Sequence, residues 1–285
     1  MNERKTYQFT GAKPGPRVVV FGSLHGDERC GTIAIEDLVR EKAMHIKKGT
    51  LTLVPAANTR AFAEQRRFCE ENLNRVFRKT EQPTSYEATL ANELSLYIDE
   101  ADIFLDLHSF HTRGKTTVFI DFPTPENNAF ARALGAECAI IDWPKVYEKD
   151  RQGFESYDTT RYAYEHGKIG VLVECGEHQD PASVEHARWY IMRALAHFGL
   201  IDFVDTQPLP PLMTIAMERI VKRESQEDRF EGAWEHLQHL PVGTAVAVRG
   251  SGEVIKTDKD SIIIFPNPHA EIGTEWFYFG VPVHL

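Results

Sequence analysis

The sequence predicts an α/β layer fold with a largely parallel sheet, followed by a small β-rich C-terminal domain. Three observations carry that expectation. Short apolar, β-branched runs such as Val18-Val19-Val20-Phe21 read as strands buried on both faces. Stretches with helical spacing separate these runs, and strands alternating with helices build layers. After Asp205 the texture changes to short strands broken by Gly, Pro and Asp.

Element by element, the predicted strand Val18–Phe21 leads into a helix in which Ile33, Ile35, Leu38 and Val39 fall mostly at helical spacing. That helix runs through Met44 until Lys47-Lys48-Gly49 closes it. The pattern next predicts strand Leu51–Val54, helix Ala88–Ile98, and strands Ile103–Leu107 and Val118–Phe122. Helix Asn128–Ala136, strand Ala139–Ile141, helix Thr159–His166, strand Val171–Val173 and a long helix Ser183–Phe198 follow. The proline-rich Gln207-Pro-Leu-Pro-Pro211 reads as a linker, which divides the chain into domains 1–206 and 207–285. Beyond it, Met213–Val221, Ala245–Val248, Val254–Lys256, Ser261–Phe265 and Trp276–Phe279 read as strands.

Composition narrows the function classes. The 285 residues carry 42 acidic against 32 basic side chains, a formal net charge of -10 that argues against a general nucleic-acid binder. An anionic substrate must then be held by local arginines. Cys30, Cys69, Cys138 and Cys175 are scattered without a Cys-x-x-Cys pair, so neither a disulfide framework nor a zinc ribbon is indicated, and a reducing cytoplasm is the simpler home. The N-terminus has no apolar core segment, and no run approaches the roughly 18 to 20 apolar residues of a membrane span. The expectation is a soluble cytoplasmic protein without a membrane partner. Whether it forms a homo-oligomer stays open.

The chemistry concentrates at four places. In Gly22-Ser-Leu-His-Gly-Asp-Glu28, directly after the first strand, His25 and Glu28 are both good ligands for a borderline divalent ion, and the glycine between them lets the backbone aim both at one point. Strand Ile103–Leu107 delivers a third candidate, His108. Asp106, two residues earlier and so on the same face, is placed to accept the other imidazole N–H. Arg66 to Phe77 is an arginine-rich irregular segment. It is either a carboxylate clamp or a solvated loop paired with its own Glu70 and Glu71. Glu174 ends a hydrophobic strand, where a carboxylate is either structural or poised as an acid–base. Cys30 and Cys175 read as packing residues, His111 as a loop residue, and His236 and His239 as surface.

Taken in order, Gly22 to Glu28, Asn72-Leu-Asn-Arg75, Asp106-Leu-His108 and the strand-end Glu174 resemble the succinylglutamate desuccinylase/aspartoacylase family, a branch of the zinc carboxypeptidase-like enzymes. The resemblance spans residues 17 to 200 and implies a mixed, mostly parallel sheet flanked by helices, with a small C-terminal β domain. It implies that His25, Glu28 and His108 bind one Zn²⁺ per chain and that Glu174 is the general base and acid. Arg67, eight positions before Arg75, matches the arginine beside the scissile carbonyl, while Asn74 and Arg75 match the pair that holds a substrate carboxylate. Thr160-Arg161 resembles a Thr-Arg pair whose arginine, here Arg161, binds substrate, although the spacing is longer.

The implied activity is hydrolysis of the amide bond of an N-acyl amino acid or similar small carboxylate. The alternative is a zinc carboxypeptidase that trims peptide C-termini. A non-catalytic ligand sensor of the same fold would be expected to lack the base or a ligand, and all four residues are present. One departure concerns the family's substrate-reaching tyrosine: Pro266-Asn267-Pro268-His269 occupies its neighbourhood, with Tyr278 further on.

Overall fold

Val18 to Phe21 form the inner half of a longer strand, β2 (Lys13–Gly22), preceded by an edge strand β1 (Tyr7–Thr10) that the sequence pattern did not reveal. The computed structural model describes residues 4–150, 157–203 and 208–283. Gly22 ends β2 because the turn there is too close for a side chain: an added Cβ would lie 2.6 Å from the Pro55 carbonyl oxygen and 2.8 Å from the Thr32 nitrogen. The chain continues through α1 (Cys30–Arg40), β3 (Lys48–Val54), α2 (Thr59–Glu64), α3 (Leu73–Val76) and α4 (Tyr86–Glu100). Then come β4 (Ile103–Phe110), β5 (Thr117–Phe119), α5 (Pro125–Leu134), β6 (Cys138–Ile141), α6 (Trp143–Asp150), α7 (Thr159–Glu165), β7 (Ile169–Glu177) and α8 (Pro181–His197). Ser85, Thr124, Asp158 and Asp180 accept hydrogen bonds from the first-turn backbone of α4, α5, α7 and α8, which fixes where each helix starts.

These strands share one sheet, in the order β1-β3-β2-β4-β7-β5-β6 across its first seven members. The β2–β3, β2–β4, β4–β7 and β5–β6 pairs are parallel, while β1–β3 and β5–β7 are antiparallel. Period-two alternation sorts the central residues between two cores. Val18 and Val20 join the cluster built by α1, α5 and α8, and Val19 and Phe21 join the cluster built by α4 and α7. Burial on both faces explains why β2 and β4 read as nearly continuous apolar runs.

The C-terminal part contributes β8 (Met213–Lys222), β9 (Arg229–Phe230), β10 (His239–Leu240), β11 (Ala245–Val248), β12 (Val254–Lys256), β13 (Ser261–Ile264) and β14 (Glu275–Val283). β8 pairs parallel with β6, so the large sheet runs on through β8-β14-β13-β10 to eleven strands, and β12-β11-β9 form a separate three-stranded sheet. One apolar cluster joins Phe119, Ile140 and Tyr147 to Ile215, Ile264 and Tyr278 across the two halves. The expected boundary at 206/207 lies outside the described residues. Among the described residues no helix is long and apolar enough to cross a membrane.

Two expectations about position need correction. His108 and Glu174 do not sit at strand tips, because β4 continues to Phe110 and β7 to Glu177. Ladder pairing carries both strands through the polar site residues, where an apolar pattern no longer marks a strand. The strand expected over Val118–Phe122 is confined to Thr117–Phe119.

Candidate active site

His108 and Glu174 are direct partners across the parallel β4–β7 ladder, so their side chains leave the sheet on the same face. The loop after β2 brings His25 and Glu28 to that place. Gly26 is required in it, since an added Cβ would lie 2.1 Å from the Ala61 carbonyl carbon, and its N–H donates to the Arg67 carbonyl at 3.1 Å. One close approach thereby ties the His25 loop to the arginine-bearing segment.

His25, Glu28 and His108 are buried, and one ligand atom from each lies within 4.8 Å of the others. His25 Nδ1 is 2.8 Å from Glu28 Oε1, and His108 Nδ1 is 2.8 Å from Glu28 Oε2. Each imidazole turns its other nitrogen outward. His25 Nε2 is 3.0 Å from Asn72 Oδ1, and His108 Nε2 is 3.1 Å from Asp106 Oδ2, though poorly aligned for a hydrogen bond. This is the outer support that a metal-binding imidazole needs. The Ser109 N–H and the Arg67 guanidinium also reach Glu28, at 3.2 and 2.7 Å.

The electrostatics ask for a cation. Burial works against the ionised form of Glu28, yet His25 and His108 outweigh it and hold its pKa well below the usual range. Burial likewise opposes charge on His108, but Asp106 and Glu28 push its pKa well up, whereas burial and Arg67 lower that of His25. Buried carboxylates thus hold positive charge at the centre of the site. Two imidazoles and a carboxylate converging there are a donor set that suits Zn²⁺ and its first-row neighbours.

A cavity of about 440 Å³ opens over this triad. Among the described residues, seven buried side-chain polar atoms lack a protein hydrogen-bond partner; setting aside His108 Nε2, which lies against Asp106, four of them, in Asp27, Arg75, Asp121 and Glu174, belong to residues of the cavity wall. A buried group without a partner costs about 1–3 kcal/mol, so such a concentration marks a place built to receive something. Glu174 illustrates the cost: burial and then Glu28 drive its pKa well above the usual carboxylate range, against the pull of His108 and Arg67.

The expected alternative, a solvated loop paired with its own Glu70 and Glu71, holds only in part: Arg66 is exposed and pairs with Glu64, while Arg67 and Arg75 find partners elsewhere. Arg67 turns to Glu28, and Arg75 donates to Tyr147 Oη at 2.7 Å and lies 3.7 Å from Glu275 Oε1, with the Tyr147 ring under its guanidinium. Burial would lower the Arg75 pKa, but Tyr147 and Glu275 raise it; Glu275 is in turn held down at about 2, mainly by Arg75 working against burial. Asn74 lines the cavity while its Oδ1 accepts from the Thr159 N–H at 3.1 Å. Arg161 is not on the cavity wall: its Nε is 2.8 Å from Glu165, and its guanidinium lies over the Tyr157 ring.

Comparison with known proteins matches this chain to a family. The succinylglutamate desuccinylase/aspartoacylase catalytic domain matches residues 14–195. The chain belongs to that family. An N-alpha-acetyl-L-2,4-diaminobutyric acid deacetylase of Halomonas elongata is 29% identical over 208 residues, which cover 66% of this chain and 56% of that one. A succinylglutamate desuccinylase of Vibrio vulnificus is 23% identical over 277 residues, 90% of this chain and 78% of its own. Among solved structures, the product-bound ectoine utilization protein EutE (DoeB) of Ruegeria pomeroyi superposes with a TM-score of 0.76 at 20% identity, covering 97% of this chain and 88% of that one. A Rhodobacter sphaeroides succinylglutamate desuccinylase/aspartoacylase gives 0.75 at 18%, covering 98% and 89%.

In this desuccinylase/aspartoacylase chain the matched span contains His25, Glu28, Arg67, Arg75, His108 and Glu174, while part of the cavity wall lies beyond it, in Phe265, Pro266, Glu275 and Tyr278. Both Tyr278 and the 266–269 loop therefore reach the cavity. Several working residues escaped the sequence reading. Asn72 holds His25 and also caps α3, a role its place before Leu-Asn-Arg could have signalled. Glu87 is fully buried and accepts from the backbone N–H groups of Cys69, Glu70 and Glu71, shaping the arginine segment; in sequence it is one more acid in a helix's first turn. His236, expected at the surface, is buried between Thr117 Oγ1 and the Phe265 N–H, because the chain before β10 bridges to Gly114 and the imidazole stacks on the Phe265 ring. Cys30 and Cys175 are buried in the main core, as expected of packing residues.

Proposed function

We propose that this chain is a zinc-dependent amidohydrolase that removes the acyl group from an N-acyl amino acid or a related small carboxylate. The observation that supports it best is one cavity in which the His25–Glu28–His108 triad, the partnerless Glu174 Oε2 and the partnerless Arg75 Nε are all on the wall. One zinc ion per chain, held by His25, Glu28 and His108, would act as a Lewis acid that polarises an acyl carbonyl and acidifies a water.

The remaining work falls to the chain's own groups. Glu174 Oε2 takes the proton of the attacking water and returns it to the leaving amine, a role suited to a carboxylate whose pKa is raised. Arg67, on the cavity wall beside Glu28, offsets negative charge as it develops on the carbonyl oxygen. Arg75 and Asn74 hold the substrate carboxylate so that the carbonyl meets the water in a reactive pose. Arg161, expected from the resemblance to bind substrate, is given no contact with it, since it stands off the wall.

Two features favour a small substrate over a peptide, and so a deacylase over the carboxypeptidase alternative. The cavity is limited to about 440 Å³, and residues 265 to 278 wall it on one side. The division of labour follows the expected domains: 1–206 carries the metal ligands and base, and 207–285 closes the substrate end. The four cysteines are free, which suits a cytoplasmic enzyme.

The wall also bears on which amino acid is bound. Glu275 already balances Arg75, and Asp121 adds a carboxylate oxygen with no partner. Burial and then Asp158 push the Asp121 pKa well up, so it offers an unpaired oxygen rather than a fixed charge, which favours a substrate that brings an N–H donor, such as the acetylated diaminobutyrate of the Halomonas relative, over the strongly anionic succinylglutamate. An amine-release assay on N-acetyl-2,4-diaminobutyrate, N-succinylglutamate and N-acetylaspartate, before and after chelation, tests this reading. Chelator-sensitive release strongest on the first is expected; chelator-insensitive release, or none on any of the three, overturns it.

A further inference from the structure

We propose that Asp27, His111 and His178 form a second divalent-metal site on the same sheet end, taking a borderline transition ion such as Zn²⁺ or Co²⁺. The topology delivers the two histidines together. His111 follows the last residue of β4 and His178 the last residue of β7, and Phe110 pairs with Glu177 across those strands. The His178 N–H donates to the Phe110 carbonyl at 2.8 Å, and the two imidazole rings stand edge to face with centroids 4.3 Å apart. Asp27 arrives from the other side, in the loop that also carries His25.

One ligand atom from each of the three lies within 4.8 Å of the others. At metal bond lengths of about 2.0–2.1 Å, ligand atoms of a tetrahedral site stand about 3.4 Å apart, a contraction that the exposed His111 can supply by side-chain rotation. Two further observations point to an occupant. His178 Nδ1 pairs with Ser109 Oγ at 2.8 Å, which leaves Nε2 buried without a partner, and Asp27 Oδ1 is likewise buried and partnerless. An imidazole braced at one nitrogen and free at the other is arranged like a metal ligand with its outer support in place.

The surroundings are compatible with a cation. Glu28 and Asp27 favour positive charge beside both imidazoles; Arg67 opposes it at both, His269 at His111, and His111 itself at His178. An ion there would give the cavity wall a second coordination position for a carboxylate or carbonyl oxygen of the substrate.

Metal counting tests the site without reference to turnover. Protein stripped by a chelator is loaded with Co²⁺, desalted, and its cobalt content and visible spectrum are measured, with thermal unfolding confirming that each variant is folded. The wild type is expected to hold two ions per chain, and His111→Ala, Asp27→Asn and His25→Ala one each. His111 is exposed, so its variant tests the site without disturbing the core. A wild type that holds one ion, lost in His25→Ala and kept in His111→Ala, overturns the second site and leaves the triad standing. A single ion lost in His111→Ala and kept in His25→Ala supports this site and overturns the triad. A wild type that holds none overturns both.

Discussion

Glu174 shows how much a single position can decide. Its strand is apolar on both sides of it, and a buried carboxylate without a partner lowers stability, so the fold alone gives no reason to keep it. Replacing it tests the assignment, because Gln keeps the shape and removes the proton carrier. Glu174→Gln is expected to lower kcat by roughly 10²- to 10⁴-fold, the usual scale for a general acid–base, with metal content unchanged and folding stability unchanged or higher. Steady-state kinetics with metal analysis checks this, and near-wild-type turnover would remove Glu174 from the chemistry. The convergence of His25, Glu28, His108 and Glu174 was legible because His-x-x-Glu, Asp-x-His and a strand-borne Glu are unusual among apolar strands. Asn72 and Glu87 were not, since their roles depend on partners 47 and 17 residues away that no local pattern announces.

At the scale of elements, the alternation of apolar runs gave the parallel core, but it failed where strands carry polar function or pair only at the edge. β4 and β7 run past their apolar stretches, and β9 and β10 are two residues each, too short for any period to register. The turn before β9 is held by a side chain. Asp228, just before β9, accepts from the backbone N–H groups of Glu224, Ser225 and Gly250 and from Arg249. Burial alone would raise its pKa, but these donors outweigh burial and hold it far below the usual range. A carboxylate depressed in the folded state contributes stability above its unfolded pKa near 4 and loses it as pH falls further. Asp228→Asn is therefore expected to cost about 3 kcal/mol at pH 7, the scale for breaking a buried ion pair, and much less at pH 2. Urea melts of both proteins at the two pH values measure it; an equal loss at both would mean that the charge is not what holds the turn.

Over the whole molecule, the sheet matters more than the linker that suggested a boundary. Proline-rich sequence and a change of texture both point to two units, yet β8 hydrogen bonds to β6, one apolar cluster is shared, and Glu275 on β14 pairs with Arg75 from α3. A cavity that draws its triad and Glu174 from one half and part of its wall from the other works only if both halves fold together. Unfolding is thus expected as one cooperative transition, coincident by far-ultraviolet circular dichroism and by tryptophan fluorescence, since Trp189 lies in the first half and Trp234 and Trp276 in the second. A metal bound by the buried triad should move that single transition as a unit. Ligand at a thousandfold above its Kd adds about 4 kcal/mol to the folded state, so chelation is expected to lower Tm by roughly 8 °C without splitting the curve. Two separate transitions, with only the first shifted by chelation, would show instead that the C-terminal strands fold as a lid on a catalytic half that stands without them.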